Sequence, residues 1–128
     1  MYGSLSLLKI ATGAARHAAS RQTLIAQNVA NADTPGYRAR DLEAFEVPGA
    51  SEDGFTAKAT RASHGDASPA SLLAARTVDT PGPENLNGNT VDLEDQLVRG
   101  AEAQERHAMA LGIYGTAIDL MRTAIGRR

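Results

Sequence analysis

The run Asn28-Val29-Ala30-Asn31-Ala32-Asp33-Thr34-Pro35-Gly36-Tyr37 sets the course of this chain. It has the composition of a helix that stops abruptly. Pro35 disfavours helical geometry at Thr34, and Pro35-Gly36 has the sequence of a type II turn, which needs positive φ at its third position. Asn31, Asp33 and Thr34 carry short polar side chains able to satisfy the terminal backbone groups, and Tyr37 can fold back onto the helix or reach a neighbour. Upstream, Leu8, Ala11, Ala15, Ala18, Gln22, Ile25, Val29 and Ala32 step by three and four, the spacing of a coiled-coil seam. His17, Arg21, Asn28 and Asn31 fall beside that seam or on the other face. A helix from about Leu5 to Ala32 is expected, roughly 40 Å long.

The last third repeats the pattern. Leu97, Gln104, Leu111, Ile118 and Ile125 recur every seventh residue, flanked by Ala101, Ala108 and Gly115 on one side and by Leu93, Tyr114 and Met121 on the other. Asn89 is the N-cap expected for this second helix, with Asp92 at its third position, while Asp92, Glu94 and Asp95 complement the positive end of the helix dipole. Arg122, Arg127 and Arg128 suit the opposite end. The expected helix runs from about Val91 to Gly126, on the order of 50 Å.

Between the two, Val47 to Thr90 holds four of the five prolines, five glycines and only six large apolar residues, too few for a core. An extended excursion is expected there, with Phe55, Leu72, Leu73, Val78 and Leu86 as its few anchors and a short helix over Ser68 to Arg76. The chain thus divides into an N-terminal helix and junction (1–46), a flexible middle segment (47–90) and a C-terminal heptad helix (91–128), one domain formed by its two ends. The fold class is mainly α, the terminal helices pairing as an antiparallel coiled-coil hairpin around an irregular Pro/Gly-rich middle. Gln22 and Gln104 sit at comparable distances from the hairpin end, where an amide pair would fix register; a wet position at the seam edge suits them equally.

Composition limits the rest. Of 128 residues 24 are alanine, which leaves about 30 large apolar side chains, with five aromatics and no tryptophan. Two helices of this make-up bury one face each, so neighbouring chains are expected to cover the remainder. The seam positions assigned to that assembly are Leu8, Ile25, Val29, Leu97, Gln104, Leu111, Tyr114, Ile118, Met121 and Ile125. A net charge of −2 provides no drive toward nucleic acid or anionic lipid. Eleven of the 13 basic residues are arginine, as a GC-rich genome would also produce. No stretch approaches the roughly 20 apolar residues of a membrane span. Lys9 and Arg16 interrupt the early apolar run, and no basic residue precedes it, so it does not read as a cleaved secretory signal.

Catalytic chemistry is not expected. His17, His64 and His107 lie more than 40 residues apart with no partner at metal-ligand spacing, and cysteine is absent. Ser63, His64 and Asp66 are too close in sequence to converge as a triad, no glycine-rich phosphate cradle occurs, and Glu102 with Arg106 is an ordinary i,i+4 surface pair. Neither cofactor, metal nor small-molecule substrate is implied.

The run from Asn28 through Tyr37, continued by Arg38-Ala39-Arg40-Asp41, resembles the N-terminal signature of the bacterial flagellar axial proteins, the rod, hook and hook-associated subunits. The motif residues are Asn28, Ala30, Asn31, Asp33, Thr34, Pro35, Gly36 and Tyr37. Within that superfamily, the short chain and the later Asn87-Gly88-Asn89-Thr90-Val91-Asp92-Leu93-Glu94 are most similar to the proximal rod subunits. The family pattern often reads Asn-Leu-Ala-Asn-Ala-Asn; Val29 and Asp33 depart from it, and Asp33 adds a charge that Arg38 or Arg40 could offset. The resemblance implies a non-enzymatic rod subunit whose terminal helices bundle with other copies and neighbouring basal-body subunits, exported through the flagellar type III apparatus without a cleaved signal, and located in the periplasmic part of the basal body. The alternatives are another proximal rod subunit of similar length and a non-polymerising helical adaptor or export chaperone. A wall-cleaving activity lacks a carboxylate pair in a plausible cleft.

Overall fold

The computed structural model describes residues 2–47, 76–80 and 82–126. Its order is helix α1 (Tyr2–Ala30), strand β1 (Arg40–Leu42), strand β2 (Thr77–Asp79) and helix α2 (Leu93–Ile125). Both helices start and stop within three residues of the limits read from the sequence; the Pro35-Gly36 turn follows the end of α1, and Asp92 and Gly126 cap α2. They pack as an antiparallel pair: Asn28 meets Gln96, Arg21 reaches Glu102, and the groove lower down joins Ala11 and Ala15 to Leu111 and Tyr114.

The line of contact differs from the expected one. On α2 the buried residues are Gln96, Ala103, Ala110 and Ala117, each one position before the heptad series Leu97, Gln104, Leu111 and Ile118. Facing them on α1 are Ala11, Ala18 and Ile25, with Asn28 at the end. One residue is 100° of helix rotation, so the two stripes lie side by side and share one period. Alanine takes the inner position because its methyl lets the backbones approach closely; Leu97 stays 71% exposed and Leu111 52%. Each buried methyl contributes only about 0.8 kcal/mol, so this seam is a weak glue.

Two short strands, not read from the sequence, pair antiparallel with Asp41 opposite Val78. Glu43 N–H to Arg76 O (2.9 Å) and Thr80 N–H to Ala39 O (2.9 Å) extend the ribbon at both ends. Three-residue strands are too short for a periodicity signal, and partners this far apart in sequence leave none. Val78 is partly covered in this ribbon, whereas Leu86, another of the expected anchors, is fully exposed. Phe55, Leu72, Leu73, the Ser63–His64–Asp66 group and the 68–75 part of the expected short helix lie outside the described residues.

The α2 N-cap is Asp92, not Asn89. The Asp92 carboxylate accepts from Glu94 N–H at 2.9 Å, and its own carbonyl takes the first helical bond from Gln96. Asn89 instead serves the end of α1. Among the described residues no helix is long and apolar enough to cross a membrane.

Candidate functional site

Helix α1 ends without a basic side chain in its last turn, so its negative end is met by amide donors instead. Asn31 Nδ2 donates to Gln27 O at 2.8 Å, and Thr34 Oγ1 to Asn31 Oδ1 at 3.2 Å. Tyr37 N–H then closes the turn onto Thr34 O at 3.3 Å, with Gly36 at φ +70°. The larger contribution comes from across the chain. Asn89, wholly buried, points its Nδ2 at the carbonyls of Asn31 (2.9 Å), Ala32 (2.8 Å) and Thr34 (2.8 Å). Two N–H groups serve three acceptors, so one bond is shared. Asn89 Oδ1 accepts from Val91 N–H at 2.7 Å.

The two motif blocks therefore meet. Gly36 N–H donates to Asn87 O (2.9 Å), Thr90 N–H to Tyr37 O (3.1 Å), and Ala39 N–H to Thr90 Oγ1 (2.9 Å). A Cβ built on Gly36 meets nothing within 4 Å, so the glycine is required by φ alone. Gly36→Val is expected to cost about 2 kcal/mol, Gly36→Ala about 1 and Gly36→Asn less, the order in which these residues tolerate left-handed geometry. Urea midpoints of the three variants check this; an Asn variant as damaged as the Val one would contradict it.

Asn28, 1% exposed, uses its whole hydrogen-bonding capacity. Its Nδ2 donates to Arg40 O (2.7 Å) and to Gln96 Oε1 (2.8 Å), while its Oδ1 accepts from Arg40 N–H (3.1 Å) and Tyr37 Oη (3.2 Å). Tyr37 thus folds back onto the helix. The buried amide pair between the helices is Asn28–Gln96, and Gln104 is exposed. At this pair an alanine track with a seven-residue repeat acquires a preferred offset, since a polar group slid past its partner would lie unsatisfied.

A charged cluster joins the remaining elements. Arg21 from α1 clamps Asp41 of β1 with Nε to Oδ1 (2.8 Å) and Nη2 to Oδ2 (2.7 Å), and Arg99 of α2 reaches the same carboxylate at 3.0 Å. Burial pushes the Asp41 carboxyl up, but the Arg21 hydrogen bonds, the Leu42 N–H, the Arg21 charge and the Arg99 hydrogen bond outweigh it, and the group ends below its usual value. A carboxylate depressed in the folded state stabilises that state fully above its unfolded pKa of about 4 and ceases to do so as pH falls through the folded value. The urea midpoint is expected to drop as pH falls below about 4, and to drop less steeply in Asp41→Asn. Parallel pH profiles for the two proteins would contradict the assignment. Asp33 pairs with neither Arg38 nor Arg40 among the described residues, and Glu102 lies 3.8 Å from Arg21.

The assembly positions expected from the sequence divide. Ile25 is buried inside the helix pair; Leu8, Ile118 and Met121 are half-covered; Val29, Leu97, Gln104, Leu111, Tyr114 and Ile125 are exposed. A second exposed apolar line, Val98, Met109, Ile113 and Leu120, runs along the other flank of α2. Sequence reasoning misses Gln96, Asp41, Arg21 and Arg99 as partners. The signal for Gln96 is its heptad spacing from Ala103, Ala110 and Ala117, masked by the bulkier neighbouring stripe.

A family model described as flagella basal body rod protein matches residues 8–38 of this chain. Over 118 residues the chain is 36% identical to the flagellar basal body rod protein FlgB of Salmonella typhimurium, covering 84% of this chain and 83% of that one. It is 33% identical over 107 residues to the protein of that name from Cereibacter sphaeroides, covering 83% of each. For Yersinia enterocolitica the figures are 30% over 118 residues and 84% of each.

Proposed function

The chain belongs to the FlgB family of flagellar basal body rod proteins, and from that premise we propose that it builds the proximal rod by packing the exposed flanks of α2 against the helices of neighbouring subunits. The observation that carries this reading is the exposure of the large apolar side chains of α2 while alanines fill the intrachain seam. A helix that spends its small residues on its own partner and presents leucine, isoleucine and methionine on both flanks is suited to a bundle of more than two helices. The junction from Asn28 to Asp41, locked by Asn89 and Asp41, fixes the angle at which the chain leaves that bundle. The role is structural and needs no catalysis, cofactor or small-molecule substrate. Residues 47–90 form the middle segment between the two ends. Export through the flagellar type III apparatus without a cleaved signal would deliver the chain to the periplasmic part of the basal body.

Purified basal bodies are expected to contain the chain in fixed stoichiometry, and deleting its gene to abolish swimming. A chain that stays cytoplasmic and absent from basal bodies, with filaments lost on deletion, would instead support the adaptor or chaperone reading.

A further inference from the structure

The line farthest from the seam carries charge of one sign on each helix. Helix α1 contains Lys9, Arg16 and Arg21 and no acidic residue. Arg21 is held by Asp41, whereas Lys9 and Arg16 are exposed and make no ion pair among the described residues. They lie seven residues apart, each two positions before a buried alanine, Ala11 or Ala18, so they project from the far side of α1. On α2 the line two positions after the buried Gln96, Ala103, Ala110 and Ala117 is Val98, Glu105, Gly112 and Asp119, all four exposed. Glu105 makes no ion pair among the described residues, and Asp119 has Arg122 at 3.4 Å with both side chains in solvent.

Gly112 marks the acidic line as a place of close approach. A glycine inside a helix is less stable than alanine and is kept where backbones must come near one another. Gly100 has such a neighbour within the chain, since a Cβ there would lie 3.8 Å from Ile25 of α1; a Cβ on Gly112 would meet nothing within 4 Å. The helix that approaches Gly112 therefore comes from another molecule, and charge selects it. Two α2 edges set antiparallel would oppose Glu105 to Asp119, and two α1 edges would bring Lys9 and Arg16 together, both repulsive. The acidic edge of α2 against the basic edge of α1 is the attractive combination, and one chain carries both. Asn28 lies level with Gln96 in the helix pair. In two pairs set side by side without axial offset, Arg16 then stands about 5 Å along the axis from Glu105 and Lys9 about 6 Å from Asp119, one pair on either side of Gly112.

We propose that the Val98–Asp119 edge of α2 in one copy packs against the Lys9–Arg16 edge of α1 in a second copy, with Glu105 paired to Arg16. This rests on the rod-subunit reading and deepens it by naming which sides of which helices meet. The two edges lie on opposite sides of the helix pair, so each copy engages one neighbour through α1 and another through α2. Such a head-to-tail contact closes as a ring or continues as an open helix, according to the rotation between copies.

Charge reversal tests the pairing. Arg16→Glu and Glu105→Arg are each expected to lower the amount of the chain in purified basal bodies about tenfold, because each brings like charges together at the contact. Neither should move the thermal midpoint of the unassembled chain, since both side chains are exposed and make no ion pair within it. The double variant restores the pair in reversed order and should return incorporation to within about twofold of the parent. Gly112→Leu should also block incorporation while the isolated chain keeps or gains helix content. Single reversals that incorporate normally, or a double variant no better than the worse single one, would overturn the contact and leave the rod reading intact as long as the parent chain is present in basal bodies. Basal bodies that lack the parent chain, in cells that swim without it, would overturn the rod reading itself.

Discussion

Asn89→Ala is expected to destabilise the full chain by about 3 kcal/mol, since it removes the donors for three helix-end carbonyls and the acceptor for Val91 N–H. Residues Asn31, Ala32 and Thr34 are less covered than Asn89, so on its removal water is expected to replace part of the lost bonds, which keeps the figure below the sum of four. For a domain of this size the midpoint should fall by roughly 10 °C or more. Asn89→Asp isolates the donor half of the role. It keeps an acceptor for Val91 but turns a carboxylate toward three carbonyl oxygens, so it should be at least as damaging as alanine. Calorimetry or urea titration of both variants decides the matter. An alanine variant within about 1 kcal/mol of the parent, or an aspartate variant milder than alanine, would mean that the helix end is not held from across the chain.

Leu111→Asp should behave in the opposite way: the isolated chain stays folded and assembly stops. Leu111 is 52% exposed, so the substitution costs the monomer no more than about 0.5 kcal/mol. In a packed bundle the same carboxylate would be desolvated without a partner, at a cost of several kcal/mol for every subunit contact. Swimming should be lost and basal bodies should lack the subunit, while circular dichroism of the purified chain matches the parent. The neighbouring Ala110 gives the contrast. It is 3% exposed in the intrachain seam, and Ala110→Asp should unfold the monomer itself. Normal motility in the Leu111 variant would remove the exposed flank from the assembly surface.

Much of the architecture is legible in the order of the residues. Pro35 and Gly36 end α1 by steric rules that act within a few residues, and the three-and-four spacing of apolar positions forces helices over both ends of the chain. The site is legible only in part. Asn28, Thr34, Gly36 and Tyr37 stand out as a cluster of turn-forming residues, but the groups they bind do not follow from that cluster. Asn89 has the local appearance of a cap for the helix that follows it, because a cap is ordinarily local; it caps instead a helix end whose Asn31 carbonyl lies 58 residues earlier. Asp41 looks like one charge among several, and its two arginine partners lie 20 and 58 residues away. The short ribbon of β1 and β2 leaves no periodic trace.

Two long helices, the points at which they stop, and more apolar surface than a helix pair can bury all follow from the amino-acid order alone. They are consequences of local sterics and of period, and they hold in any context. Which of two adjacent stripes on α2 faces α1 is settled only by the packing in three dimensions. Alanine and leucine repeat at the same spacing and differ by 100° of rotation, so periodicity cannot rank them. The choice falls to the closeness of approach that a methyl group permits, and to a buried amide pair whose members are 68 residues apart.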